Sequence, residues 1–198
     1  ATAFPGTWQL PHWSATPYLD DPLLIWAVNF TFGSSNAVAK TSEFALRCVR
    51  NASSTGHVPV ANRWQVQAQS AVAQDQLTGL LWQRQPPPQG GTGNDGYLTH
   101  TEAVAYCGNL ILEGKPNWRM PTLRELRSIT DFKRTIPPPF EPLVFTLPDN
   151  GSNYWTTAIA GTNAWTVSCY SGYLQTKAVT EAHRVLCVED TCGDGACG

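Results

Sequence analysis

The segment from Trp26-Ala27-Val28 to Cys48-Val49 aligns without a gap on Trp165-Thr166-Val167 to Cys187-Val188, and each runs 22 residues from tryptophan to cysteine. Inside that window Gly33 matches Gly172, Ala39 matches Ala178 and Thr41 matches Thr180, while upstream Trp13-Ser-Ala-Thr echoes Trp155-Thr-Thr-Ala. Self-similarity of this kind points to one structural unit used more than once. The two copies are unequal: residues 63–154 stand ahead of Trp155, but only twelve residues stand ahead of Trp13. The expected organisation is therefore the back half of a module at 1–51, a linker at 52–62, a complete module at 63–190 and a cysteine-rich tail at 191–198. A half-module of two or three strands leaves a sheet edge and an apolar face uncovered. Something must complete it.

Sixteen glycines, 15 prolines and eight tryptophans against one methionine favour short strands, turns and long loops over a helical bundle. Gln74-Asp-Gln-Leu-Thr-Gly-Leu-Leu-Trp-Gln83 reads as a strand with a turn at Thr78-Gly79, followed by an exposed loop from Gln85 through the prolines and glycines. Thr99-His-Thr-Glu102 has the capping-box pattern and predicts a helix with Ala103, Cys107, Leu110 and Ile111 on its inward face. Thr122-Leu-Arg-Glu125, directly after Pro121, predicts a shorter helix with Leu123, Leu126 and Ile129 inward. Apolar segments at 154–157, 165–169 and 184–188 read as strands, so the fold class is α+β.

A net charge of −2 and a pI near 6.1 give no reason to expect nucleic acid or an anionic membrane as partner. No apolar run approaches the length of a membrane span, so no membrane insertion is expected, and any export signal is expected to have been removed. Six cysteines without paired CxxC spacing suit disulfides, hence an oxidising compartment and an extracellular or cell-surface location. HExxH, GxSxG and a phosphate-cradling glycine loop are all missing, and the four histidines are scattered, so no catalytic residue, enzyme activity or cofactor is expected. Glu141-Pro-Leu is not the Glu-Pro-Asn of calcium-dependent lectins, and Asp149, Asn150 and Asn153 suit a plain turn, so no metal is expected.

Two regions are candidates for binding. Residues 115–134 hold six of the 13 basic residues, with Arg124 and Arg127 three apart as a polyanion site would need, although a solvated face with Arg119 in a structural salt bridge is the preferred reading. The loops 146–163 and 170–176 are rich in Thr, Ser, Asn, Gly and aromatic residues, and Asn153, Tyr154, Tyr170 and Tyr173 are the expected ligand contacts there. Trp82, Trp155 and Trp165 are expected in the core.

Asp75-x-x-Thr-Gly-Leu-Leu-Trp82, Glu102-Ala-x-x-Tyr-Cys107, Trp118-Arg-Met-Pro-Thr-Leu-Arg-Glu-Leu126, Tyr154-Trp155 and Leu186-Cys-Val188 form an ordered set. This set resembles the C-terminal domain of bacterial collagen-like adhesins over roughly residues 63–190, and Trp13 to Asn51 looks like the back half of another member. The resemblance implies a C-type-lectin-like fold related to that of formylglycine-generating enzymes, with the helix cysteine paired to that of the last strand, here Cys107 with Cys187. A bridge closing so long a loop would remove several kcal/mol of unfolded-state entropy. Cys169 stands where the first copy has Phe30 and is an extra cysteine; Cys48 and Cys169 could bridge each other, Cys48 could cross-link to another chain, or either could be a thiol. A local Cys192–Cys197 bridge is expected in the tail. Leu186 and Glu189 replace Arg47 and Arg50 of the first copy, which weakens the case for charge-dependent binding through the last strand.

These readings converge on an exported, non-enzymatic module that binds glycan or protein on a surface. The rival reading is a structural subunit of a filament or interlocked oligomer, whose N-terminal half-module is completed by a neighbouring chain, with copies of itself among the candidate partners.

Overall fold

The computed structural model describes residues 10–18, 21–30, 34–48, 63–87, 96–131, 140, 143–147 and 152–189. The linker, the tail and its cysteines Cys192 and Cys197 lie outside them. Along the described residues run β1 (His12–Pro17), β2 (Leu24–Asn29), β3 (Ser34–Ala39), β4 (Trp64–Gln65), β5 (Val72–Asp75), β6 (Leu81–Gln83), α1 (His100–Asn109), α2 (Leu123–Ser128), β7 (Asn153–Ala160), β8 (Asn163–Ser168), β9 (Leu174–Ala178) and β10 (Val188–Glu189). Antiparallel strands with two short helices make this an α+β chain.

The sheet ordered β10-β6-β5-β4 organises the body. Because cross-strand partners share a face, Ala73, Trp82 and Val188 lie on one side, and Val72 with Gln83 and Gln74 with Leu81 on the other. The first side joins Leu126, Ile129, Phe140, Phe145 and Tyr154 in one core cluster. The second side joins Ala103, Cys107, Trp118, Met120 and Trp155 in another. Two apolar faces on a sheet this small require cover on both sides, which α1 and α2 and their flanking loops provide.

Both helices start where their capping boxes predict. Glu102 N–H donates to Thr99 Oγ1 at 3.4 Å and Thr99 N–H donates back to Glu102 Oε2 at 2.8 Å; the same reciprocal pair joins Thr122 and Glu125 at 3.3 and 2.7 Å. Each box satisfies two amides that a helix N-terminus otherwise leaves open. Leu110 is the C-cap of α1 in extended geometry, so the helical period stops there, and Ile111, expected inward, is instead 71% exposed. Cys107 is buried and bonded to Cys187 across a separation of 80 residues. The tight turn after β5 is closed by Gly79 N–H on Asp75 O at 2.7 Å, with Gly79 at φ 76°, a conformation that favours glycine. Pro86 and Pro87, expected in an exposed loop, are buried.

Two three-stranded antiparallel meanders remain, β1-β2-β3 and β7-β8-β9. Adding 139 carries Leu24–Ala39 onto Asn163–Ala178 and Trp26–Ala37 onto Trp165–Thr176. It also carries Ala27, the partner of Trp13, onto Thr166, the partner of Trp155. Both first strands change register in the next four residues, between Trp13 and Pro17 and between Trp155 and Ile159. Beyond the third strand each chain returns beside the first: Trp13 N–H donates to Ala45 O at 3.0 Å, and Trp155 N–H to Arg184 O at 2.8 Å. The returning segment at 184–188 is a strand only from Val188; Arg184 makes a single bridge to Tyr154.

Candidate functional site

Where the cover over β5 and β6 ends, a cleft of about 280 Å³ opens, lined by Gln65, Gln67, Ser70, Val72, Gln74, Leu81, Glu113 and Lys115. Strand pairing places the amides: Gln65 of β4 lies directly across from Gln74 of β5, and Gln74 across from Leu81 of β6. Three glutamines thus share a wall whose apolar floor is Val72 and Leu81. Gln76 Nε2 donates to Gln65 Oε1 at 3.1 Å, which orients the Gln65 amide. Across the cleft, Glu113 Oε1 accepts from Ser70 Oγ at 2.8 Å and from Ala71 N–H at 2.6 Å, tying the turn after α1 to the turn before β5.

Backbone strain gathers at the same place. Among the described residues, the non-glycine residues with positive φ are Gln69 (63°) and Glu113 (52°), in the two turns that flank the cleft, and Asn117 (74°), shortly after the second. Side chains other than glycine adopt this region at a cost of about 1 kcal/mol or more each, and it persists where surrounding contacts fix it. Here Glu113 is fixed by its two hydrogen bonds, and the turn it occupies by the reciprocal Leu112–Lys115 backbone pair. The arrangement offers amide groups that both donate and accept, one carboxylate and one ammonium around a small apolar floor.

The six residues expected to contact ligand do not assemble into one surface. Tyr154 is fully buried, its ring 5.6 Å from Phe140, so it is a core residue and not a stacking platform. Asn153 begins β7, with its Oδ1 buried; the loop expected over 146–163 is largely strand. Tyr173 packs edge-on against Trp26 at 5.3 Å, and its hydroxyl accepts from Ala37 N–H at 3.5 Å, so the N-terminal meander covers it. Tyr170 alone of the three tyrosines is well exposed, at 58%.

The basic stretch is dispersed as well. Arg119 makes a bidentate pair with Glu125 at 2.9 and 2.8 Å, the structural salt bridge that the sequence suggested. Burial raises the Glu125 carboxyl, but the Arg119 bonds, the Thr122 bonds and the Arg119 charge outweigh it and hold the group below its ordinary value. Arg124 is exposed, whereas Arg127 is half-buried and burial lowers its pKa. Lys133 and Arg134 lie outside the described residues.

His100 and His183, distant in sequence, both pack edge-on against Trp155 with ring centroids 5.3 and 4.9 Å away. His100 Nε2 donates to Thr156 O at 3.0 Å, and the indole donates to Leu98 O at 2.8 Å, which makes this a packing arrangement. Among the described residues no three His, Cys, Asp or Glu side chains form a metal-binding group. The cleft residues were not singled out by sequence, apart from Lys115. The available signal was the recurrence of glutamine at 65, 67, 74 and 76, on and beside the short strands β4 and β5.

The two capped helices, the Cys107–Cys187 bridge and the part of the cleft formed by Val72, Gln74, Leu81, Glu113 and Lys115 fall within a known domain: the family model for the Lcl C-terminal domain matches residues 71–189. The chain belongs to the Lcl C-terminal domain family. The matched stretch runs from just before β5 to the end of β10 and contains α1, α2 and β7–β9, while β1–β4 precede it. No curated protein matches the chain. No helix among the described residues is long and apolar enough to cross a membrane.

Proposed function

We propose that this chain is an exported, non-enzymatic adhesion module of C-type-lectin-like fold that holds a neutral glycan in the glutamine-lined cleft, which β4 and the N-terminal edge of the Lcl C-terminal domain form together. The observation that carries the reading is the cleft itself, where the side chains of Gln65, Gln67 and Gln74 stand around an apolar floor formed by Val72 and Leu81. A sugar hydroxyl both donates and accepts, and so does a carboxamide; the apolar floor suits the C–H face of a pyranose ring. The bonds that Glu113 accepts fall on Oε1, which leaves Oε2 for a hydroxyl donor. At about 280 Å³ and open to solvent, the cleft suits one or two rings of a longer chain. Extracellular placement agrees with the Cys107–Cys187 disulfide.

The test is a glycan array followed by titration calorimetry with the strongest neutral hit. Gln65→Ala combined with Gln74→Ala is expected to weaken binding by about tenfold or more, the effect of losing one or two net hydrogen bonds, while Tyr170→Ala leaves it unchanged. An array without neutral-glycan hits, or a hit that survives the double substitution, refutes the proposal.

A further inference from the structure

The N-terminal meander repeats the geometry of β7–β9, and the repeat extends past the strands to the residues that α1 covers in the family domain. There Trp155, Val185 and Cys187 are fully buried and cluster with Ala103 and Cys107 of α1. Trp155 meets His183 edge-on at 4.9 Å and His100 of α1 edge-on at 5.3 Å. At the corresponding places of the first meander stand Trp13, Leu46 and Cys48. Trp13 meets Phe44, the counterpart of His183, also at 4.9 Å. The helix side is open: Leu46 is 71% exposed where Val185 is buried, and Cys48 is exposed and without a disulfide where Cys187 is bonded to Cys107.

We propose that Trp13, Leu46 and Cys48 form the docking seat for a polypeptide segment built like residues 99–109, a capped helix whose inward cysteine closes a disulfide with Cys48. The internal duplicate identifies the occupant, since the equivalent seat is filled by a helix held by that bond. A copy of this chain is not the occupant. The described residues contain two such meanders but one covering helix, that helix is already bonded to its own domain through Cys107, and the cysteines outside them, Cys192 and Cys197, stand in the short run Cys-Gly-Asp-Gly-Ala-Cys, so copies covering one another would leave as many seats open as they filled. The covering segment therefore comes from polypeptide other than residues 1–198. In forming the bond, the two thiols lose two protons and two electrons to a disulfide-bearing oxidant, which leaves as a dithiol, as in formation of Cys107–Cys187.

Mutual pairing of Cys48 and Cys169 is not what the fold provides, because Cys169 is buried and neither forms a disulfide. The proposal stands apart from the glycan reading, since none of its residues lines the cleft.

The experiment is disulfide mapping of the protein purified from the organism that encodes it, with free thiols trapped by N-ethylmaleimide before lysis and tryptic peptides analysed without reduction. The expected result is loss of alkylation at Cys48, with the peptide Cys48-Val-Arg50 bridged to a cysteine peptide absent from residues 1–198. Comparison of reduced and non-reduced gels then shows whether that segment shares the polypeptide or comes from a separate chain, and either outcome supports the seat. An alkylated Cys48, or Cys48 bridged to Cys169, Cys192, Cys197 or a second Cys48, overturns it.

Discussion

Replacing Cys107 and Cys187 together by alanine opens a cross-link that spans 80 residues of the chain. Alanine is the informative choice because both positions are fully buried, and serine would add hydroxyls that need partners. Loop-closure entropy for about 80 residues amounts to about 4.5 kcal/mol at 25 °C, all of it released to the unfolded chain when the bond is absent. Packing lost with the two sulfur atoms adds about 1 kcal/mol. The native hydrogen bonds around the site survive, including Cys187 N–H to Gln83 Oε1 at 3.1 Å, so the folded state changes little. Urea unfolding followed by near-ultraviolet circular dichroism, which reads the buried tryptophans Trp82 and Trp155, is expected to show a loss of about 4–6 kcal/mol for the double variant. The unsubstituted protein under dithiothreitol is expected to lose slightly less, since its sulfur atoms remain. A loss below about 1 kcal/mol in both would refute the reasoning, because it would mean that the bridge does not restrict the unfolded chain.

Asp75 is fully buried and takes a bidentate pair from Arg63 at 2.9 and 2.7 Å, with further bonds from Thr78 Oγ1 and Leu77 N–H. Burial raises its carboxyl, but the Arg63 and Thr78 bonds, the Arg63 charge and the Leu77 amide together hold it below the ordinary 3.8. Such a group stabilises the fold above its unfolded value and loses that contribution as the pH falls through the folded one. Asp75→Asn is thus expected to cost about 3 kcal/mol at pH 7, and urea unfolding is expected to show the gap to the unsubstituted protein narrowing steadily below about pH 4. Gly96 has φ +81° and a Cβ built there falls 2.4 Å from the Pro87 carbonyl oxygen, whereas a Cβ at Gly108 within α1 meets nothing within 4 Å. By differential scanning fluorimetry, Gly96→Ala is expected to lower the melting temperature, by an amount equivalent to about 1–3 kcal/mol, and Gly108→Ala to raise it by the equivalent of about 0.5–1 kcal/mol.

The features that the sequence determined are those whose causes lie within a few residues of one another. Thr99 with Glu102 and Thr122 with Glu125 fix both helix starts, because a capping box is closed by groups three residues apart. The Asp75-Thr78-Gly79 run fixes its turn for the same reason, and the 22-residue Trp-to-Cys spacing foreshadowed two meanders of identical pairing. The tertiary structure decided which face of each segment met what. Tyr154 had the composition of a binding loop around it, yet its place in β7 opposite Val167 and the approach of Phe140 put it in the core. The cleft exists because β4, β5 and two turns forty residues apart converge, and no local pattern encodes that convergence. Cys48 and Cys187 occupy equivalent places in equivalent meanders, and what distinguishes a thiol from a disulfide there is the presence of a covering helix, a contact between segments and not a property of either sequence.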